Sequence, residues 1–125
     1  RLVEKGIVAF HGFQEEPRPY YAKADCVVMP SYHEGMSNVN LEASATGRPV
    51  ITTNIPGCRE SVEDGITGWL CESENADNLY EKMKMFLNTN ITTREEMGKK
   101  ARKKMEKEFD KNSIVKQTIA ALDLN

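Results

Sequence analysis

The chain has 125 residues, of which 39% are hydrophobic and 29% charged, and its formal net charge is -2. This is enough for one compact domain with a core, and the charge gives no electrostatic argument for a nucleic acid or an anionic membrane as partner. Cys26, Cys58 and Cys71 are far apart and odd in number, which argues against a disulfide framework or a CxxC zinc site. No apolar run approaches the length of a membrane span, and the cysteine pattern fits a reducing compartment best.

Short apolar runs and helical stretches alternate in the first part of the chain. Ile7–Phe10 is apolar and ends at a glycine turn, so we predict the first strand there. A short helix is predicted to begin near Pro17, because proline is tolerated at the first helical position. Of the adjacent Tyr20 and Tyr21, one is expected in the core and the other at its rim. Cys26–Met29 is predicted to be a buried strand that ends at a proline.

The stretch that follows predicts a loop, a helix and another strand. The loop carries Glu34 and Gly35, and Ser37 or Asn38 can cap a helix because a short side-chain oxygen accepts a free N–H of the first turn. Gly47 is expected to end this helix. The apolar run 50–53 is predicted to be the next strand.

A strand, helix and strand in this order form a βαβ unit, which predicts a parallel sheet and an α/β fold. Ligands of open parallel sheets bind beyond the carboxyl ends of the strands. Two loops leave such ends, 31–37 and 54–59, and helix N-termini there suit a phosphate. Glu34 and Glu42 carry the wrong charge for phosphate but can accept hydrogen bonds from hydroxyls. Phosphate at helix ends and hydroxyls on carboxylates together describe a nucleotide sugar.

The second part of the chain is predicted to be mostly helical. Trp69 belongs to a last short strand, where we expect it to pack in the core. Helices are predicted to begin at Asn75, at Thr92 or Thr93, and at Ile114. The residues expected on their buried faces are Leu79, Met83, Phe86 and Leu87, then Met97, Ala101, Met105 and Phe109, then Ile114, Ile119, Ala120 and Leu122.

The segment from Glu34-Gly35 to Glu42 resembles the E-x7-E motif of retaining glycosyltransferases of family 4, which have the GT-B fold. The surrounding residues agree in type and order: Pro30-Ser31, Leu41-Glu42-Ala43, Gly47-Arg48-Pro49-Val50-Ile51, Pro56-Gly57 with Glu60, and Gly65 with Gly68. The Pro-Gly-Cys-Arg-Glu variant most resembles bacterial enzymes that assemble capsules, O-antigens and related surface glycans. The similarity runs from about Ile7 to the C-terminus.

The resemblance implies a Rossmann-like parallel sheet with flanking helices, part of the C-terminal domain of a GT-B enzyme. Residues 1–125 then form the distal part of the nucleotide-sugar-binding domain, with C-terminal helices at 92–125. The acceptor-binding N-terminal domain and the segment with the basic pair that grips the diphosphate are expected outside this chain. The chain is therefore expected to be a fragment that is inactive alone.

The resemblance also implies the site residues. Glu34 is expected to bind hydroxyls of the donor sugar, and Glu42 the ribose hydroxyls. The diphosphate is expected to bind to backbone N–H groups. The residues that supply them are Gly35, Met36, Ser37, Asn40 and Leu41. Glu60 is expected to orient the Pro56-Gly57 loop, whereas Arg59 could bind a phosphate or form a surface ion pair. Phe13 and Gln14 could border the base.

No metal and no other cofactor is expected, because the family uses amides and basic side chains in place of a divalent cation. The implied partners are a nucleotide sugar, with UDP as the suggested nucleotide, and a glycan or lipid-linked acceptor, but no nucleic acid. The implied location is the cytoplasm, with the inner face of the plasma membrane and a peripheral membrane contact left open. For the basic helix at 99–107, we favour a solvated face over membrane contact.

Three alternatives stay open at this point. The chain could be a non-catalytic nucleotide-binding module of α/β type. It could be an interaction module whose binding surface lies in residues 92–125. Glu34 and Glu42 could also form a glycosidase-like pair of acid and nucleophile, although Glu42 lies within a helix that follows a phosphate-type loop, which disfavours this reading.

Overall fold

The structure, a computed structural model, describes residues 4–12, 16–31 and 37–123. Within these ranges, three short strands form one parallel sheet in the order β1-β2-β3. The strands are β1 at Val27–Met29, β2 at Val50–Thr53 and β3 at Gly68–Cys71. In register, Ile51 lies between Val28 and Trp69. The predicted βαβ unit and α/β fold class are confirmed.

Helices connect and cover the strands. α2 begins after the predicted cap, Ser37, whose side-chain oxygen accepts the N–H of Asn40 at 3.3 Å. It ends just before Gly47, whose φ of 85° is the left-handed conformation that glycine adopts at low cost. The helices are α1 at Arg18–Lys23, α2 at Asn38–Ala45, a 3-10 turn at Arg59–Ser61, α3 at Ala76–Leu87, α4 at Ile91–Glu108 and α5 at Ser113–Asp123.

The two faces of the sheet pack against different helices, because alternate residues of a strand point to opposite sides. Val50 is fully buried in a cluster with Tyr21 of α1 and Ala43 of α2. Its neighbour Ile51 lies in a second cluster that includes Trp69, Phe86 and Met97. Trp69 meets Phe86 edge to face with ring centroids 6.2 Å apart. Core packing of Trp69, and burial of Tyr21 beside a more exposed Tyr20, are confirmed.

α2 is the helix on which the C-terminal part of the chain packs. Its Leu41 and Ala45 form a third buried cluster with Met105 of α4 and Val115 of α5. The predicted buried stripe of α4 is confirmed, since Met97, Ala101 and Met105 are buried and Phe109 is partly buried. The predicted C-terminal helices therefore cover the side of α2 that carries Leu41 and Ala45, whereas Ala43 packs against Val50 of the sheet.

The predicted first strand is wrong. Residues 7–10 form no strand and make no ladder pairing, and Ile7 and Phe10 are 67% and 84% exposed. A strand is stabilised only by a neighbour that pairs its N–H and C=O groups, and none of the described residues pairs with this segment.

Three details of the helices also differ from the predictions. α4 begins at Ile91, not at Thr92 or Thr93, because the side chain of Asn90 accepts the N–H of Thr93 at 2.8 Å and caps the helix. Met83 and Leu87 are largely exposed on α3, where Phe86 is buried and Leu79 partly buried. On α5, Val115 and Thr118 are the buried residues, Ile114, Ile119 and Leu122 are only partly buried, and Ala120 is exposed.

Candidate functional site

The carboxyl ends of the three strands define one edge of the sheet, and the predicted loops leave from it. β1 ends at Met29, and α2 begins with the cap at Ser37. The intervening residues 32–36 lie outside the described residues, and these include Glu34, Gly35 and Met36. The predictions for those three residues therefore stay predictions, as do those for Phe13 and Gln14, which are also outside the described ranges.

The two loops meet at the start of α2. The N–H of Ser37 donates to the carbonyl of Gly57 at 2.9 Å. The N–H of Gly57 in turn donates to the Glu60 carboxylate at 2.7 Å. Glu60 thus holds the Pro56-Gly57 turn, as predicted. The side chain of Arg59 is half exposed, and its Nε lies 4.0 Å from the Glu60 carboxylate.

The first turn of α2 uses some of the amides that were predicted to bind phosphate. The N–H of Asn40 donates to Ser37 Oγ, and the N–H of Leu41 donates to the Ser37 carbonyl at 3.1 Å. The Leu41 side chain is buried between α4 and α5. Within the described part of the chain, no acceptor is found for the N–H groups of Asn38 and Val39. These two amides are therefore further candidate anion donors, and the predicted diphosphate roles of Asn40 and Leu41 stay predictions.

Both the backbone N–H and the side chain of Asn40 donate hydrogen bonds to buried groups of the protein. It is fully buried, and its Nδ2 donates to Thr52 Oγ1 at 2.9 Å. The Thr52 hydroxyl donates to the carbonyl of Met29 at 3.0 Å. Asn40 Oδ1 is buried and has no hydrogen-bond partner among the described atoms. This connection could not be predicted from the sequence, because residues 29, 40 and 52 are far apart along the chain and meet only in the fold.

Glu42 lies four residues after Asn38, so both residues are on the same face of α2. Its side chain is half-buried, and burial raises the pKa of its carboxyl above the usual value. Arg18 acts in the opposite direction on that pKa, and Glu16 adds to the rise. Hydrogen bonds from hydroxyl groups would stabilise the charged form of a carboxylate that is partly shielded from solvent in this way.

Arg18 is a polar neighbour of Glu42 that the sequence did not single out. Its guanidinium binds Glu16, with Nε at 2.7 Å from the carboxylate, and also donates to the carbonyl of Gln117 at 3.0 Å. The hydrogen bonds from the Arg18 side chain and backbone lower the pKa of Glu16 to about 2. Burial and the nearby Glu42 charge raise the pKa of Tyr21 to about 12. Arg18 thus connects the start of α1 to α5 and partly balances the charge of Glu42.

A small cavity opens at the same edge of the sheet. It has a volume of about 270 Å³ and lies between the ends of β2 and β3 and the start of α3. Pro30, Thr53 and Glu74 are among the residues that line it.

No group of three or more histidine, cysteine or acidic side chains placed to hold a metal ion occurs in the described ranges. None of the helices there is both long and apolar enough to cross a membrane.

Comparison with known proteins identifies the family. The model of the family "Glycosyl transferases group 1" matches residues 4–104. The capsular polysaccharide biosynthesis glycosyltransferase CapM of Staphylococcus aureus is 34% identical over 99 residues, which cover 79% of this chain and 26% of CapM. The chain thus spans about a quarter of the length of this relative.

Solved structures show the same fold. Sucrose-phosphate synthase of Thermosynechococcus elongatus matches with a TM-score of 0.78 and 27% identity, over 98% of this chain and 32% of the enzyme. HepE of Anabaena, solved in complex with UDP, matches with a TM-score of 0.78 and 23% identity, over 99% of this chain and 35% of HepE. The described sheet and helices are therefore a partial Rossmann-like domain of the GT-B type, as predicted.

Proposed function

The chain belongs to the glycosyl transferases of group 1, and we propose that it forms the donor-binding part of an enzyme that transfers a sugar from a nucleoside-diphosphate sugar. One observation carries this proposal. The amides of Asn38 and Val39 lie at the N-terminus of α2, one helical turn from the half-buried carboxylate of Glu42 on the same helix. Donors for an anion and an acceptor for hydroxyls are the two groups that a nucleoside diphosphate requires.

The diphosphate binds at the start of α2. The helix dipole and the two amides favour negative charge there, and the tie from Ser37 to Gly57 brings the second loop to the same place. Negative charge grows on the diphosphate as the bond to the sugar breaks. Donors already fixed in position stabilise that charge without reorganisation during the reaction. The amides of Gly35 and Met36 add to these donors, as the family resemblance implies.

The ribose binds at Glu42, one turn along α2. A carboxylate can accept from both hydroxyls of a ribose. The partly desolvated position of Glu42 strengthens such bonds, because water competes less well there. Glu34 binds hydroxyls of the transferred sugar and is the catalytic residue of this part of the protein.

The remaining elements of the proposal rest on the resemblance. The donor is a UDP-sugar, the anomeric configuration is retained, and no metal takes part. The acceptor is a glycan or a lipid-linked saccharide that binds to a domain outside this chain, at the cytoplasmic face of a membrane.

The role of Glu42 is tested by calorimetric titration with UDP and with 2′,3′-dideoxy-UDP, which lacks both ribose hydroxyls. We expect Glu42→Ala to weaken UDP binding about 10- to 100-fold, the range for hydrogen bonds to a charged group. The same variant should change the affinity for the dideoxy nucleotide little. Glu96→Ala, which removes an exposed carboxylate of α4, is the matched control. Equal loss for both nucleotides would contradict the ribose role.

The role of Glu34 is tested by comparing UDP with UDP-glucose, UDP-galactose and UDP-N-acetylglucosamine. The wild-type chain should bind one of these sugars more tightly than UDP. Glu34→Ala should remove that preference and leave UDP binding intact, because only the sugar loses a partner. A preference that survives the substitution would exclude Glu34 as the sugar ligand.

A further inference from the structure

Asn40 connects the two ends of the loop that separates β1 from α2. At one end, its N–H donates to the side chain of Ser37, the cap of α2. At the other end, its Nδ2 reaches the carbonyl of Met29, the last residue of β1, through the hydroxyl of Thr52. The path from α2 through β2 to β1 crosses the carboxyl edge of the sheet, where ligands of parallel sheets bind.

This connection is costly to bury. Asn40 and Thr52 are both fully buried, and Asn40 Oδ1 has no partner among the described atoms. An unsatisfied buried acceptor opposes folding, whereas an apolar side chain of similar shape would have no such cost. Stability alone therefore does not account for an asparagine at this position.

We propose that Asn40 is a positioning residue, which fixes the first turn of α2 and both ends of the preceding loop so that the amides of Asn38 and Val39 face the diphosphate. It acts through Ser37 and Thr52 and does not touch the ligand, in contrast to the ligand-binding role that the sequence suggested for it. This inference rests on the proposed function. Displacement of preorganised donors by a fraction of an ångström is enough to weaken a site of this kind.

The experiment combines UDP affinity with thermal unfolding in four variants. Asn40→Leu should keep or raise Tm, because it removes the unsatisfied oxygen, while the Kd for UDP rises roughly tenfold. Thr52→Val should lower Tm, because it leaves both polar groups of Asn40 unpaired. The double variant N40L/T52V should recover Tm but not affinity. Asn40→Ala tests the same connection without added volume, should leucine prove too large for the site.

The matched control is Thr118→Val. It removes a buried hydroxyl that donates to the carbonyl of Ile114 within α5, a helix that does not contribute to the carboxyl edge of the sheet. It should leave the Kd for UDP unchanged. A Kd that follows Tm through all variants would overturn the inference and make Asn40 a merely structural residue. Unchanged affinity in Asn40→Leu would overturn it too, while leaving the proposed function in place. Absence of UDP binding to the wild-type chain would overturn both.

Discussion

The environment of Glu42 is unfavourable for the folded state but suits the role that we propose for its carboxylate. Burial raises the pKa of its carboxyl, which means that the folded chain disfavours the ionised form. The same ionised form is the one that accepts two ribose hydroxyls. A group that is held for binding at a cost in folding is typical of functional sites.

We predict that Glu42→Gln raises Tm at pH 7 or leaves it unchanged. A carboxyl whose pKa is raised on folding contributes stability that is fully present below its unfolded pKa and is lost as pH rises through the higher folded value. The Tm difference between the variant and the wild type should therefore shift in favour of the variant as pH rises from about 4.5, the ordinary pKa of a glutamate, to neutrality. Thermal unfolding as a function of pH measures this. A variant that is clearly less stable than the wild type at pH 7 would contradict it.

At the residue scale, the sequence predicted what depends on short spacing. The Ser37 cap and the bond from Gly57 to Glu60 each span three residues, and both are present. The hydrogen bonds from the Asn40 and Leu41 amides to Ser37 show which N–H groups the cap residue uses, and short spacing alone did not indicate this. Thr52 and Arg18 could not be identified, since their partners are distant in sequence and are brought near only by the sheet.

At the element scale, the contact between the end of α2 and α4 depends on a glycine. A Cβ added at Gly98 would lie 2.1 Å from the carbonyl oxygen of Gly47. That distance is far inside van der Waals contact, and the obstacle is backbone, which cannot rotate away. α4 can therefore approach α2 this closely only because residue 98 has no side chain.

We predict that Gly98→Ala destabilises the chain by about 2 kcal/mol or more, as overpacking in a core does. The sign is the opposite of the usual one, because alanine normally stabilises a helix interior relative to glycine. Urea unfolding gives the free energy difference. Lys100→Ala, an exposed change two residues away on the same helix, should be close to neutral. A stabilised Gly98→Ala would show that α4 does not pack as described.

The start of α4 gives a second prediction at this scale. Asn90→Ala should cost about 1 kcal/mol, because its side chain caps the helix by accepting the N–H of Thr93. Thr92→Ala is the matched control and should have a much smaller effect in the same urea measurement. The reverse order would place the helix start where the sequence had suggested it. Sequence alone could not decide, since asparagine and threonine both cap helices and lie within three residues here.

At the scale of the whole molecule, the order of strands and helices was predictable and the outer surfaces were not. The alternation of apolar runs with helical segments was enough to predict the parallel sheet, because few folds can bury the apolar residues of such a sequence. The segment Ile7–Phe10 has the composition of a strand but finds no partner among the described residues. The exposure of Met83 and Leu87 on α3 has the same origin. Periodicity identifies an apolar face, but only the packing of the other elements determines whether it is covered.

The proposed function requires a nucleoside diphosphate to bind at the carboxyl edge of the sheet, at the start of α2. We would test it first by an amide-resolved NMR titration of this chain with UDP. We expect chemical-shift changes at Asn38 and Val39, in the turn at Gly57, and near Glu42, with little change in α4 and α5. Shifts confined to α4 and α5, or none at millimolar UDP, would contradict it.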